Sequence, residues 1–164
     1  MTKEDGFYYP VEIKWTEGCS GEVMSDGLPT VQVAAPPEFQ GKRNTWTPEH
    51  LYVAAVNACF MTTLLAIARN SKLEIVSFNA NARGKLEKVE GGGFQITEIV
   101  LKPILVIRFA EDIERAKRVI DKTERSCLIA NSIKTVVKVE PEIYHKQNPV
   151  YPCPPMPAGA ASGG

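Results

Sequence analysis

The longest pattern in the chain is an uncharged stretch, residues 51–68, which follows strong signals for the start of a helix. Thr47 is a good N-cap, because its hydroxyl can accept a hydrogen bond from a free N–H of the first turn, and Pro48 suits the first helical position. Glu49 places negative charge at the positive end of the helix dipole. The pattern predicts a helix over residues 47–70 that must be covered on nearly all sides.

Short runs of β-branched and aromatic residues precede this helix. Residues 7–15, 22–25 and 30–35 are predicted to be strands joined by turns that contain glycine. A loop over residues 36–46 then carries two prolines and a glycine into the helix. Such a loop is either the wall or lid of a site or a plain connector.

The second half of the chain combines a hairpin with a second helix. Strands over 74–89 and 94–109 flank the glycines at 91–93, and Pro103 is expected to bend the second strand or hold it at a sheet edge. The other predicted elements are a helix over 111–125, a short helix or turn over 126–134 and a last strand over 135–144.

This order of elements indicates an α+β domain over residues 1–145, with antiparallel sheet packed on the central helix. The tail over 146–164 is rich in proline and glycine and is expected to be disordered or draped on the surface. One small sheet covers only one side of so apolar a helix. We therefore expect a homodimer in which the long helices of two copies pack together.

Charge and composition argue against some classes of partner. Lys plus Arg and Asp plus Glu number 19 each, so no field of one sign attracts nucleic acid or an acidic membrane. The uncharged stretch is long enough to be weighed as a membrane span, but it contains Asn57, Thr62 and Thr63 and lies between soluble-type strands. A buried central helix is favoured. The first ten residues lack the apolar segment of a secretory signal, and we expect a cytoplasmic protein.

The four cysteines, Cys19, Cys59, Cys127 and Cys153, are widely spaced and form neither a CxxC pair nor a Cys/His cluster. The sequence therefore indicates no metal site, no thioredoxin-type motif and no cofactor. In a reducing compartment a cysteine is either inert core or chemically active. Taken alone, Cys59 is better explained as a small core residue.

Two motifs change that interpretation. TPEHLYVAAVNACF at 47–60 and CLIANSIK at 127–134 resemble, in this order, the two cysteine motifs of the OsmC/Ohr family, the osmotically inducible protein C and organic hydroperoxide resistance proteins. The sequence PPEF at 36–39 and the glycine-rich hairpin agree with this resemblance, which spans about residues 7–144. The resemblance implies an OsmC-like intertwined homodimer with its active site at the subunit interface, and a thiol peroxidase reaction.

The resemblance also implies roles for three residues. Cys59 would be the peroxidatic cysteine, Cys127 the resolving cysteine and Glu49 the carboxylate of the site. The substrate would be an organic hydroperoxide in an apolar pocket, and a dithiol donor, typically a lipoylated protein, would reopen the disulfide. The candidate side chains for that pocket, each of which could equally be ordinary core, are Phe39, Trp46, Phe60 and Met61.

Two features complicate this assignment. Glu49 and Cys59 are ten positions apart, so one continuous helix separates them by about 15 Å along its axis. Glu49 must therefore come from the partner subunit, which we expect, or approach through a bend. The family's activating arginine is absent from the turn at 17–21, which reads EGCSG. Arg43 and Lys14 are the candidates to replace it, although both are also explained as solvated charges, the favoured explanation for Lys14.

Without that arginine, two other functions stay open. The chain could be a non-catalytic OsmC-like protein whose apolar pocket holds a small molecule while its thiols stay inert. It could also be a slow redox switch based on a Cys59–Cys127 disulfide. Both alternatives predict the same fold as a peroxidase. Only the groups around Cys59 can therefore distinguish the three functions.

Overall fold

The computed structural model describes residues 6–146, so the predicted tail beyond Lys146, with Cys153, lies outside the described residues. Three helices and seven strands make up the described chain, with a single 3-10 turn before each of the first two helices. The helices are α1 (Pro48–Asn70), α2 (Ile113–Ser126) and α3 (Leu128–Asn131). The strands are β1 (Glu12–Glu17), β2 (Ser20–Met24), β3 (Val31–Ala34), β4 (Ile75–Lys88), β5 (Phe94–Ile107), β6 (Val136–Val139) and β7 (Glu142–His145).

The central helix α1 begins as predicted. The Thr47 hydroxyl accepts a hydrogen bond from the His50 N–H at 3.3 Å, and Pro48 occupies the first turn. By length and composition α1 could cross a membrane. In the structure one stripe of the helix is instead buried in the core, where it packs against β4, β5 and α2. The fully buried residues of this stripe are Val56, Phe60, Leu64 and Ala68.

The opposite face of α1 is open. Ala55, Ala58 and Ala66 are exposed on it, together with Met61 and Leu65, whose exposed fractions are 37% and 43%. This departs from the expectation that the helix is covered on nearly all sides. A single chain supplies one layer of cover, because its strands β4 and β5 and its helix α2 lie on the same side of α1.

The strands form two sheets. The first is antiparallel, in the order β1-β2-β3, and the second contains the long antiparallel hairpin of β4 and β5. β6 and β7 both pair in parallel with β5, so the second sheet is mixed and not purely antiparallel as predicted. The predicted strand over 135–144 is in fact two strands, which separate at Glu140 and Pro141.

The predicted edge position of Pro103 is wrong, since β5 is the central strand of its sheet. The Leu101 carbonyl accepts from the Glu140 N–H at 2.8 Å, on the side of β6 and β7. The backbone groups of residues two apart in a strand point to the same side, so the nitrogen of Pro103 points the same way as the Leu101 carbonyl. It therefore faces the gap between β6 and β7. No N–H is needed there, and proline is tolerated inside the sheet.

The first sheet is joined to the rest of the chain through β3, where the Ala34 N–H donates to the Trp46 carbonyl at 2.9 Å. Strand β1 starts at Glu12, later than the predicted start at residue 7, because Pro10 has no N–H to contribute to a ladder. All six residues of β1 are exposed, including Trp15 at 72%.

Candidate active site

Cys59 lies on the flank of α1, between the buried stripe and the open face, and is partly buried. Its sulfur accepts a hydrogen bond from the Ile129 N–H at 3.5 Å. The hydroxyl of Thr63, one helical turn further on, lies 4.0 Å from the same sulfur. The thiol is therefore held among hydrogen-bonding groups and not among apolar neighbours alone.

Cys127 lies where α2 ends and α3 begins. Its extended backbone breaks the helix, and its carbonyl accepts from the Asn131 N–H at 3.0 Å, which closes the turn of α3. This local geometry turns the Cys127 side chain into the core, where it is 1% exposed. There it is close enough to the Cys59 thiol for each thiol to shift the pKa of the other. The fold thus brings together the two cysteines that the sequence places far apart.

Hydrogen bonds control the ionisation of Cys59. Burial, the largest single effect, raises the pKa of the Cys59 thiol. The N–H groups of Ile129 and Leu128, the Cys127 thiol and the Thr63 hydroxyl together outweigh burial and hold the pKa of Cys59 below its ordinary value. Within residues 6–146, the interactions that lower it are hydrogen bonds. Donors from α1 and α3 therefore lower the pKa of Cys59, an effect that the sequence led us to expect from a cation.

Cys127 is shifted in the opposite direction. Burial raises the pKa of the Cys127 thiol most, and the neighbouring Cys59 raises it further, against the N–H groups of Ala130 and Ile129, which lower it. The pair therefore contains one thiol whose pKa is lowered and one whose pKa is raised. Because the thiolate is the reactive form of cysteine, Cys59 is the better nucleophile of the two.

Glu49 lies in the first turn of the uninterrupted helix α1, so no bend brings it to Cys59 within one chain. One of its carboxylate oxygens, Oε2, is buried and has no hydrogen-bond partner among the described residues. Asn57 donates to the Ala80 carbonyl at 3.0 Å, but its own oxygen is also buried and unpartnered there. Glu49 and Asn57 line one cavity of about 440 Å³. A buried acceptor without a donor is costly, so this cavity favours a group that brings donors.

Arg43 does not reach the thiols in the single chain. It is exposed in the loop before α1, where it lines an open hollow of about 650 Å³ with Lys42 and Trp46. It is absent from the groups that shift the pKa of Cys59. Trp46, 53% exposed, lines the same hollow and meets the His50 ring edge-on at 6.1 Å.

The other candidate pocket residues are dispersed in the single chain. Phe60 is core, 1% exposed, and borders a small cavity of about 160 Å³ beside Cys127. Met61 lies on the open face of α1. Phe39 packs edge-on against Phe94 of the hairpin, with ring centroids 5.4 Å apart. One chain therefore does not assemble Phe39, Trp46, Phe60 and Met61 into a common pocket.

The structure adds donors that the sequence analysis did not assign. Thr63 stands four residues after Cys59, a spacing that puts both on one side of a helix and could have been recognised from the sequence. The backbone N–H groups of Leu128 and Ile129 could not be recognised as donors from the sequence, because the side chains of these residues give no indication of it. Only the turn after Cys127 orients them toward the sulfur.

Comparison with known proteins agrees with this architecture. The profile of the family described as OsmC-like protein matches residues 40–142, well over half of the chain. The chain belongs to the OsmC-like protein family. The resemblance inferred from the two cysteine motifs is thereby confirmed, and the matched region includes α1 with Cys59 and the turn with Cys127.

The following proteins are among those similar to this OsmC-like protein. The uncharacterized protein YmaD of Bacillus subtilis is 26% identical over 125 residues, which cover 74% of this chain and 82% of that protein. An OsmC-like protein of unknown function from Vibrio cholerae has a similar fold, with a TM-score of 0.76, 23% identity and coverage of 83% and 99% of the two chains. An organic hydroperoxide resistance protein from Elizabethkingia anophelis, solved with thiocyanate bound, follows with a TM-score of 0.64, 24% identity and coverage of 85% and 98%.

Proposed function

We propose that this OsmC-like protein is a thiol-dependent peroxidase that reduces organic hydroperoxides to alcohols. The observation that carries the proposal is the pair of adjacent thiols with opposite shifts, in which the pKa of Cys59 is lowered and that of Cys127 is raised. A fold neighbour named as an organic hydroperoxide resistance protein supports the same chemistry. A binding protein with inert thiols has no need of four donors around one sulfur.

In the first step the Cys59 thiolate attacks the distal oxygen of the hydroperoxide. The sulfur–oxygen bond forms as the oxygen–oxygen bond breaks, and the alkoxide leaves with the electron pair and takes up a proton to become the alcohol. The sulfur is oxidised by two electrons to sulfenic acid, while the peroxide is reduced by two. The hydrogen bonds from Ile129 and Thr63 hold the attacking sulfur in place.

In the second step the Cys127 thiol gives up its proton and attacks the Cys59 sulfenic sulfur. The disulfide forms and hydroxide leaves, which takes up the proton as water, so the net product is one disulfide and one water. Capture by a nearby thiol prevents further oxidation of Cys59, which would be irreversible. In a reducing cytoplasm a dithiol donor, such as a lipoylated protein, would reopen the disulfide by exchange.

The working form in this proposal is a homodimer. The open face of α1 presents Ala58, Met61 and Leu65 to solvent, and β1 exposes Trp15. A second copy packed on these surfaces would remove them from water, which favours association. It would also allow Glu49 of one subunit to serve Cys59 of the other, because Glu49 cannot reach the thiol of its own chain.

Counting free thiols during titration with an organic hydroperoxide tests the proposal. We expect the reduced full-length protein to lose two thiols within seconds at a near-stoichiometric amount of cumene hydroperoxide. A binding protein with inert thiols would lose none, and a redox switch would lose two only slowly. Cys59→Ser should abolish the fast loss, whereas Cys19→Ser, which changes an exposed cysteine, should leave it intact. Full activity in Cys59→Ser would overturn the mechanism.

A further inference from the structure

A small cavity of about 160 Å³ lies beside Cys127, where α2 ends and α3 begins, and we call it the Cys127 cavity. Among the described residues, strands β5 and β6 line it with apolar side chains alone, Leu101, Val137 and Val139. Cys59 lies outside the part of the described chain that lines it. The cavity therefore meets the Cys127 side chain away from the Cys59 thiol.

The polar part of the Cys127 cavity consists of one charged and two neutral side chains, Glu124, Asn131 and Thr135. The Thr135 hydroxyl donates to a backbone carbonyl of β5 at 2.7 Å, and the Asn131 amide donates to a backbone carbonyl of α2 at 3.0 Å. A neutral amide or hydroxyl can orient a water molecule but does not hold an extra proton at neutral pH. Among the described residues that line the cavity, Glu124 is thus the only group besides Cys127 that ionises.

Glu124 lies in the last turn of α2, three residues before Cys127, and residues three apart lie on the same side of a helix. It is exposed and forms no ion pair within residues 6–146. A carboxylate without a partner cation is available to accept a proton. Glu124 therefore places a proton acceptor at the solvent side of a cavity that also borders a buried thiol.

The Cys127 thiol is 1% exposed, so bulk solvent cannot take its proton directly. The volume of the Cys127 cavity, about 160 Å³, is well above the roughly 10–15 Å³ that a cavity needs to hold a water. A water there would find the polar partners that a buried water requires in Glu124, Asn131 and Thr135. The cavity thus offers a short path for a proton from the buried sulfur to a surface carboxylate.

We propose that Glu124 accepts the proton of Cys127, through water in the Cys127 cavity, when Cys127 attacks the oxidised sulfur of Cys59. The S–H bond of Cys127 breaks, and the electron pair left on its sulfur forms the bond to the Cys59 sulfur. The group previously bound to Cys59 leaves with the electron pair of the bond that breaks, so no further oxidant or reductant takes part. The inference rests on the proposed function only for the identity of that group, which in the peroxidase cycle is hydroxide and becomes water by taking up a proton.

The test measures the attack by Cys127 without peroxide. The full-length chain carries Cys19→Ser and Cys153→Ser, so that the Cys59–Cys127 pair alone remains. Dithiobis(nitrobenzoic acid) converts Cys59, the better nucleophile, to a mixed disulfide with thionitrobenzoate. Attack by Cys127 then releases thionitrobenzoate as a coloured thiolate, and its absorbance gives the rate of the attack.

We expect Glu124→Gln to slow this release about tenfold at neutral pH, less than is usual for a base in direct contact, because water carries the proton. The sign of the effect excludes simple electrostatics, since removing a negative charge beside Cys127 would favour its thiolate and speed the release. Asp121→Asn changes an exposed carboxylate of α2 outside the cavity and should release at the wild-type rate.

The pH profile distinguishes proton transfer from a structural role. Cys59, the other ionisable group beside Cys127, is blocked in the mixed disulfide and does not titrate. The wild-type rate should be nearly flat around neutral pH, whereas in Glu124→Gln it should rise about tenfold per pH unit, because hydroxide must then remove the proton. Formate should restore the release in Glu124→Ala, which it would not do if Glu124 only supported the fold.

The outcomes separate this inference from the proposed function. A wild-type rate and pH profile in Glu124→Gln would overturn the proton path and leave the peroxidase standing. Slow release in Glu124→Gln, in a protein that does not reduce cumene hydroperoxide, would support the proton path and overturn the peroxidase. Equal slowing in Asp121→Asn, or slowing in Glu124→Ala that formate does not reverse, would also overturn the proton path.

Discussion

The hydroxyl of Thr63 offers a direct test of how Cys59 is activated. Thr63→Val keeps the size and shape of the side chain but removes the hydroxyl that lies 4.0 Å from the sulfur. This separation is long and the site is open to solvent, so we assign the contact about 1 kcal/mol, below the usual range for hydrogen bonds to charged groups. At pH values below the pKa of Cys59, that free energy corresponds to about fivefold less thiolate.

The assay is alkylation of Cys59 by iodoacetamide, followed by peptide mass spectrometry at several pH values so that Cys59 and Cys127 are read separately. Only the thiolate reacts, so the midpoint for Cys59 lies below that of an ordinary cysteine in the wild type. It should move to higher pH in Thr63→Val and return in Thr63→Ser, while the midpoint of Cys127 stays above the ordinary value. If Thr63→Val alkylates with the wild-type profile and an unchanged Tm, the hydroxyl plays no part in activation.

Three further predictions follow from the same structure. Cys127→Ser should show one fast oxidation and then stall with Cys59 as sulfenic acid, detected by a dimedone adduct; formation of a disulfide in that variant would contradict the assigned pairing. Leu65→Glu puts a charge on the open face of α1 and should convert the proposed dimer to a monomer in light scattering. Gly84→Ala would place a Cβ 2.6 Å from a methyl group of α1. Urea titration should show that this substitution lowers the free energy of unfolding by about 1–3 kcal/mol. The control, Gly6→Ala, has nothing within 4 Å of its new Cβ and should leave the free energy of unfolding unchanged.

The sequence predicts those parts of the fold that depend on local physical chemistry. The start of α1 at Thr47 and Pro48 follows from capping, and the hairpin around residues 91–93 follows from glycine, each of which adopts a positive φ there. The core face of β4 follows from alternation, since Phe78, Ala80 and Ala82 all turn inward. These signals lie within a few residues of the feature that they specify.

The features that the sequence does not predict depend on distant partners. The parallel pairing of β6 and β7 with β5 is decided by where α2 and α3 return the chain, not by the residues of 135–144. The tolerance for Pro103 depends on a gap between two other strands. In the candidate site the two cysteines could be paired through family resemblance. The N–H groups that lower the pKa of Cys59 become visible only once the turn after Cys127 is placed against Cys59.

Because Cys127 lies outside α1, a disulfide between it and Cys59 would change the thermal stability of the protein. A bond between its sulfur and that of Cys59 would close a covalent ring of about 70 residues that contains the whole β4–β5 hairpin and α2. Such a ring lowers the entropy of the unfolded chain and would stabilise the folded state by about 4 kcal/mol. The oxidised form would then melt at a higher temperature than the reduced form, and calorimetry alone could report the redox state of the molecule.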